Sequence, residues 1–374
     1  MPGQEHKRLR ILLAGGGTGG HLYPALAIAQ GLRGLDANCD IRFVGSKYGL
    51  EAKVLPQKNE VFYPLNIRGL QRSISPIALG RNLRLPWRFA VSYLRCQTIL
   101  RQFKPQVVVG TGGYASALPI LAAQRKGIPT LLHEQNSYPG LTTRKLTSRA
   151  SVVCLTYETT SKFIPTNNWI ITGNPVRFQN VVTNRKTARQ QLGLPARKQI
   201  LFILGGSQGS RPLNNHFLSH WPEYTKQMGV HLLWQTGLRD FKRLNKAVGE
   251  ESSITLSPYI INMEAAYRAS DLVVSRAGAM TLAEITTMGK PAVLVPLPSA
   301  AADHQTRNAE LLLKKKAARL VPQVELQKGT LETVIRQLIN YPDRLRVMGK
   351  RIRSLALPEA TPIILDQILK LVEA

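Results

Sequence analysis

A chain of 374 residues is longer than one hydrophobic core usually supports, and its 44% hydrophobic content supplies two compact domains of about 150–200 residues each. Cys39, Cys96 and Cys154 are far apart and form no C-x-x-C pair, which argues against a disulfide scaffold and a cysteine-clustered zinc site and suits a reducing, cytosolic compartment. The formal charge of +28 predicts attraction to polyanions. Nucleic acid is the least supported of these, since there is no helix-turn-helix, zinc-finger, RNP or aromatic-platform pattern.

Met1–Lys7 reads as a leader without a signal-like apolar core, and no apolar run reaches the roughly 18 residues of a membrane span. Leu9–Ala14 is expected to form a first strand that empties into Gly15-Gly16-Gly17-Thr18-Gly19-Gly20, followed by a helix from about His21 to Leu35. Ile41–Val44 is the second strand, and its exit, Gly45-Ser46-Lys47, lacks the acid that binds the ribose of a nicotinamide cofactor. A different phosphate-rich ligand is therefore expected, with an NADP-type site left open.

Between Glu60 and Glu134 there is no acidic residue, while Arg68, Arg72, Arg81, Arg84, Arg88, Arg95, Arg101, Lys104, Arg125 and Lys126 fall there. Leu79, Leu83, Leu85, Trp87, Phe89 and Leu94 are interleaved with these cations. That mixture suits a membrane interface, the other reading being that these apolar residues face the core. Val107–Gly110 is a buried strand entering Thr111-Gly112-Gly113-Tyr114, and Thr130–Leu132 leads into His133-Glu134-Gln135-Asn136. Polar residues at a strand exit suggest a ligand-facing rim or a locally bonded turn. Val152–Leu155 and Ile170–Thr172 complete the series before Gly173-Asn174-Pro175-Val176-Arg177.

Ile200–Leu204 then opens a second domain, emptying into Gly205-Gly206-Ser207-Gln208-Gly209-Ser210 as the first strand empties into its own glycines. Further strands are expected at Val230–Trp234, Ile254–Leu256, Leu272–Val274, Ala292–Val295 and Arg319–Val321, with helical segments at Met263–Ala269 and Leu282–Met288. Ser275-Arg276-Ala277-Gly278 precedes a helix bearing Glu284, and Asp303, His304, Gln305 and Asn308 fall within two turns of another. The apolar spacing of Ile364, Leu365, Ile368, Leu371 and Val372 makes a tail helix that needs a surface to cover, one the first domain offers.

Taken together, Gly16-Gly17-Thr18-Gly19-Gly20-His21 with Pro24, Thr111-Gly112-Gly113-Tyr114, His133-Glu134-Gln135-Asn136, Gly173-Asn174-Pro175-Val176-Arg177, Gly205-Gly206-Ser207-Gln208-Gly209 and Arg276-Ala277-Gly278 with Glu284 resemble the bacterial peptidoglycan N-acetylglucosamine transferases. The resemblance extends over nearly the whole chain. It implies an α/β protein of GT-B type, two doubly wound parallel-sheet Rossmann-like domains facing an interdomain cleft. Residues 1–173, rejoined by a C-terminal helix at 359–374, would be the acceptor and membrane-facing domain, and 174–358 the UDP-GlcNAc-binding domain. The implied reaction is inverting transfer of GlcNAc from UDP-GlcNAc to the C4 hydroxyl of MurNAc in undecaprenyl-diphosphoryl-MurNAc-pentapeptide, giving a β1→4-linked disaccharide and UDP. Its implied place is the cytoplasmic face of the bacterial inner membrane, bound peripherally to anionic lipids beside cell-wall synthesis proteins that serve cell shape and division. No cofactor and no protein-bound metal are implied.

By the same resemblance, Arg177, Gly206, Ser207, Gln208, Gly209, Ile260, Met263, Arg276, Gly278, Glu284, His304, Gln305 and Asn308 bind the donor, helped by Thr18, Gly19 and Asn136. Glu284 would take the ribose hydroxyls, Ser207 and the neighbouring amides the diphosphate, and the backbone of Ile260 the uracil. Gly17, Thr18, His21, Tyr114, Glu134 and Asn136 form the acceptor rim, with His21 the expected general base and Glu134 the other catalytic candidate. A histidine that only orders the glycine turn or touches the acceptor diphosphate is the competing role for His21. Leu79, Arg81, Leu83, Arg84, Leu85, Trp87 and Arg88 would form the membrane patch. Two other classes share many of these features: another UDP-sugar enzyme, such as a different transferase or a UDP-GlcNAc 2-epimerase, and a noncatalytic nucleotide or polyanion binder.

Overall fold

The computed structural model describes residues 8–69, 85–176, 178 and 184–374. The chain divides into two compact units, one made of Met1–Arg177 with Pro358–Ala374 and the other of Phe178–Leu357.

In the first unit, β1 (Arg10–Ala14), β2 (Asp40–Ser46), β3 (Phe62–Leu65), β4 (Val107–Gly110), β5 (Thr130–Glu134), β6 (Val152–Leu155) and β7 (Trp169–Ile171) form one seven-stranded sheet in the order β3-β2-β1-β4-β5-β6-β7. Every pairing is parallel. Parallel strands covered on both faces read as near-continuous Val, Ile and Leu, which is why these segments stand out in the sequence. Alternate residues serve opposite layers: Ile11 and Leu13 join one core, Leu12 and Ala14 the other. β3 is absent from the sequence-based expectations. It is an edge strand, half-exposed and interrupted by Pro64, a residue that an edge tolerates.

In the second unit, β8 (Ile200–Leu204), β9 (His231–Gln235), β10 (Ile254–Ser257), β11 (Leu272–Ser275), β12 (Ala292–Leu294) and β13 (Arg319–Leu320) form a six-stranded sheet in the order β10-β9-β8-β11-β12-β13. Its pairings are also parallel. Leu201 and Ile203 face one core while Ile200, Phe202 and Leu204 face the other.

In each sheet the strand order reverses once, between β1 and β4 and between β8 and β11. In open parallel sheets the turns leaving such a pair diverge and leave a crevice for ligand. Ala14 pairs with Gly110 and Leu204 with Ser275, so the turns at 15–20 and 111–113 start side by side, as do those at 205–210 and 276–278.

The helix Ala360–Glu373 closes the first unit by packing on the helix Gly19–Leu35. Ile364, Leu365 and Ile368 share a core with Leu22, Ala25, Leu26 and Leu32. A Cβ at Gly31 would stand 2.8 Å from Leu365 Cδ1 and 2.9 Å from Thr361 Cγ2. A mid-helix glycine costs about 1 kcal/mol, and here it is what lets the two helices approach. Ile364→Ala is expected to lower the stability of the first unit by about 2–4 kcal/mol, read as an earlier urea midpoint, while Lys370→Ala on the solvent side leaves it nearly unchanged.

Candidate active site

The two turns at the β1/β4 reversal are tied across the crevice. Thr111 N–H donates to Ala14 O at 2.9 Å, and Thr111 Oγ1 to His21 O at 2.8 Å. Gly112 has φ +92°, and a Cβ there would lie 2.8 Å from His21 Nδ1. Glycine is thus required for the turn and for the imidazole that rests against it.

His21 Nδ1 lies 3.1 Å from Thr111 O and 3.0 Å from Gln135 Oε1. Both partners are acceptors, so Nδ1 carries the proton and neutral His21 holds its lone pair on Nε2. Gln135 is oriented by its amide nitrogen, whose two N–H groups are shared among Thr111 O at 2.9 Å, His133 O at 3.0 Å and His133 Nδ1 at 2.9 Å. His133 Nε2–H in turn donates to Gly173 O at 2.9 Å. One direction of donation runs through three side chains and fixes the tautomer of both histidines. Burial pushes His133 down to about 4, so it stays neutral at pH 7.

Glu134 is committed to its own loop. Oε1 accepts from Asn136 N and Nδ2, each at 3.1 Å, and Oε2 from Gly140 N at 3.0 Å and Thr143 Oγ1 at 2.6 Å. With both oxygens so occupied, the carboxylate orders residues 134–143. Asn136 is half-buried beside it. Thr18 is the exposed residue before the helix Gly19–Leu35, and the Tyr114 ring lies against Gly17.

Five residues beyond β2 an acid folds back beneath the first glycine turn. Glu51 is fully buried, and its carboxylate accepts from Gly17 N at 2.7 Å and Ser46 N at 2.9 Å. Burial raises its pKa, and those N–H groups oppose the shift. Beside Tyr114, a depression of about 500 Å³ is lined by Lys47, Tyr48, Lys53, Arg68 and Gly69. The Arg68 guanidinium sits 3.7 Å above the Tyr48 ring, and its Nε is buried without a hydrogen-bond acceptor. Glu51 and the orienting role of Gln135 are not among the site roles expected from the sequence.

In the second unit, Gly206, Ser207, Gln208 and Gly209 make the turn after β8, closed by Gly209 N–H donating to Gly206 O at 3.0 Å, and Ser210 precedes the helix Arg211–Pro222 without a side-chain cap bond. Arg276 is buried behind this turn rather than spread on its surface. Its Nε donates to Ser210 Oγ at 2.9 Å, Nη1 to Val295 O and Pro296 O at 3.0 Å each, and Nη2 to Gln323 Oε1 at 2.5 Å. Burial lowers its pKa to about 10, still charged at pH 7. Arg276 therefore staples three loops, and its guanidinium is already engaged by protein acceptors.

Gln235, at the end of β9, links two other donor-side candidates: Nε2 donates to Gly206 O at 3.2 Å and Oε1 accepts from Ile260 N at 2.9 Å. A uracil contact through the Ile260 N–H must displace that oxygen, whereas the Ile260 carbonyl is not part of the pair. Met263 begins the helix Met263–Ala269, and Gly278 precedes the helix Ala279–Met288. Glu284, nine-tenths buried, is held by Tyr267, whose hydroxyl donates to Oε2 at 3.0 Å. His304 opens the helix His304–Lys314, Gln305 Oε1 accepts from Leu297 N at 3.0 Å, and Asn308 is buried.

Arg177, Leu79, Arg81, Leu83 and Arg84 lie outside the described residues. Leu85 begins the helix Leu85–Phe103, which buries Cys96, Ile99, Leu100 and Phe103. Trp87, Phe89, Val91 and Leu94 of the same helix are exposed, Trp87 by 74% and Leu94 by 60%, so they do not face the core. Arg88 is half-exposed among them, and no described helix is long and apolar enough to cross a membrane.

Two all-parallel α/β units, each with a glycine turn at its reversal point, place the protein in the GT-B class of glycosyltransferases. More narrowly, residues 11–154 match the Glycosyltransferase family 28 N-terminal domain and residues 200–360 the Glycosyltransferase family 28 C-terminal domain, so the chain belongs to glycosyltransferase family 28. It is 38% identical to a UDP-N-acetylglucosamine--N-acetylmuramyl-(pentapeptide) pyrophosphoryl-undecaprenol N-acetylglucosamine transferase of Flavobacterium psychrophilum, over 98% of this chain and 99% of the relative. The protein of the same description from Moorella thermoacetica is 39% identical, over 98% of this chain and all of the relative. The crystal structure of Acinetobacter baumannii MurG superposes with a TM-score of 0.73 at 29% identity, covering 97% of this chain and 99% of that one.

The His133 shift sets a pH dependence. Free histidine takes its proton near pH 6.5, and folded His133 only near 4, so between those values the unfolded chain holds one more proton. Stability due to this group is complete above about pH 6.5 and lost as pH falls to 4, by at most about 3 kcal/mol. Urea unfolding between pH 4 and 7 is expected to show a shallower acid limb for His133→Gln, by close to one proton.

Proposed function

We propose that the protein transfers GlcNAc from UDP-GlcNAc to the C4 hydroxyl of MurNAc in undecaprenyl-diphosphoryl-MurNAc-pentapeptide, with inversion, releasing UDP. Full-length relatedness to enzymes described by that reaction supports the substrates. The observation that carries the chemistry is the tautomer of His21, locked by Thr111 O and Gln135 Oε1. With Nδ1–H so held, Nε2 receives the proton of the C4 hydroxyl as its oxygen attacks the anomeric carbon opposite UDP. The imidazolium formed keeps the same two acceptors on Nδ1, so no side chain has to turn during transfer. Gln135 and His133 act as positioning residues in this scheme.

Negative charge grows on the departing diphosphate. Ser207 and Gln208 of the turn after β8, with the start of the helix Arg211–Pro222, present backbone N–H groups to it, Gly209 N–H being held by Gly206 O. Glu284, pre-set by Tyr267, takes the ribose hydroxyls, and Arg276 serves by holding the loops in place. On the acceptor side, Lys47, Lys53 and Arg68 beside Tyr114 give the lipid-linked diphosphate a cationic seat. The exposed Trp87, Phe89, Val91 and Leu94 with Arg88 support a peripheral seat on anionic lipid at the cytoplasmic face of the inner membrane.

Radiolabelled UDP-GlcNAc and a soluble analogue of the lipid-linked acceptor are expected to yield a β1→4 disaccharide and UDP. Epimerised UDP-sugar formed from the donor alone would instead identify a 2-epimerase. His21→Ala is expected to lower kcat about 10²–10⁴-fold with both substrates saturating. A turnover number near wild type removes the general-base assignment. Separately, Trp87→Ser with Leu94→Ser is expected to weaken cosedimentation with anionic vesicles several-fold without changing turnover of a soluble acceptor.

A further inference from the structure

We propose that the second unit carries a zinc-class metal site formed by His216, His220 and Glu332, apart from the transfer chemistry. The two histidines are one turn apart on the helix Arg211–Pro222, with rings stacked at 4.7 Å. Glu332, from the helix Thr330–Ile339, places Oε1 3.4 Å from His216 Nε2 and 3.6 Å from His220 Nε2. One ligand atom from each residue falls within 4.8 Å of the others. Tetrahedral zinc with bonds of about 2.0–2.1 Å has ligand-to-ligand edges of about 3.3–3.4 Å, close to the two histidine–carboxylate distances.

The hydrogen bonds around the cluster favour metal ligation. His216 Nδ1–H donates to Leu326 O and His220 Nδ1–H to His216 O, both at 2.9 Å. Backbone carbonyls on Nδ1 place the lone pairs on Nε2, the arrangement that orients metal-bound imidazoles. The carboxylate supplies the second, independent sign: Glu332 is 4% exposed and its Oε2 is buried without a hydrogen-bond partner. A buried carboxylate oxygen left unpartnered is costly, and a divalent cation gripped by both carboxylate oxygens offsets that cost. Two imidazoles and a carboxylate suit zinc among the divalent metals. His220, 40% exposed, gives an entry path and room for water as the fourth ligand.

One protein group competes. Tyr224 OH donates to His216 Nε2 at 2.8 Å and must release that lone pair when metal enters. Bound metal would pin the helix that follows the Gly206–Gly209 turn to the helix Thr330–Ile339, a structural staple rather than a reacting centre.

The test uses the full chain, treated with chelator, dialysed, and titrated at pH 7 with Zn²⁺ by calorimetry and with Co²⁺ by visible absorption. Wild type is expected to bind one equivalent and to show the visible bands of four-coordinate Co²⁺. His220→Ala and Glu332→Gln are each expected to weaken binding at least tenfold and to abolish those bands. No binding by wild type, or binding that both variants retain, overturns the site. Should Glu332→Gln fail to fold, His220→Ala, at a half-exposed helix position, decides the matter alone.

Discussion

One proton on His21 Nδ1, shared between Thr111 O and Gln135 Oε1, constrains much of the first unit. For the bond to form, β1 and β4 must pair in the register that starts their turns together, and Gly112 must have no side chain. Gln135 must also be turned by His133, which stays neutral because it is buried. A protonated His133 would present a donor to the Gln135 amide nitrogen, itself a donor, and the order of donation would break. The reactivity proposed for one half-buried imidazole thus depends on the dryness of a second.

The second unit solves a different problem with the same topology. Its reversal point is held by an ion rather than a neutral chain, with Arg276 reaching Ser210, Val295, Pro296 and Gln323. A guanidinium has five N–H donors in a fixed fork and can fasten several loops at once. Because it stays charged at pH 7 despite burial, it also sets a fixed positive charge behind the turn where diphosphate charge is proposed to develop. Gln235 completes the frame by joining Gly206 to Ile260.

The fold was largely legible because buried parallel strands leave an unbroken apolar signature, as in Val107–Gly110 and Ile200–Leu204, and the glycine turns mark where those strands end. β3 was not legible, being short, half-exposed and broken by Pro64. Motif reading brought out His21, Ser207 and Glu284 as candidates. It did not find Glu51, since an acid in a short helix resembles a surface charge until the chain folds it beneath Gly17. Gln135 and Gln235 carry neither charge nor periodicity, so their linking roles exist only in three dimensions. Arg276 and Glu134 were noticed as residue types, but the partners that decide their roles lie elsewhere in the chain or loop.

The helix Ala360–Glu373 belongs to the first unit although the whole second unit separates it from the rest. In chain topology the second unit is an insertion, with both of its ends returning to the same host. During vectorial synthesis the host cannot complete its core until residues 360–373 emerge, so Leu22, Leu26 and Leu32 wait with part of their cover missing while the insert already has all of its strands. The order of completion is therefore the reverse of the order of appearance: the domain that starts first finishes last.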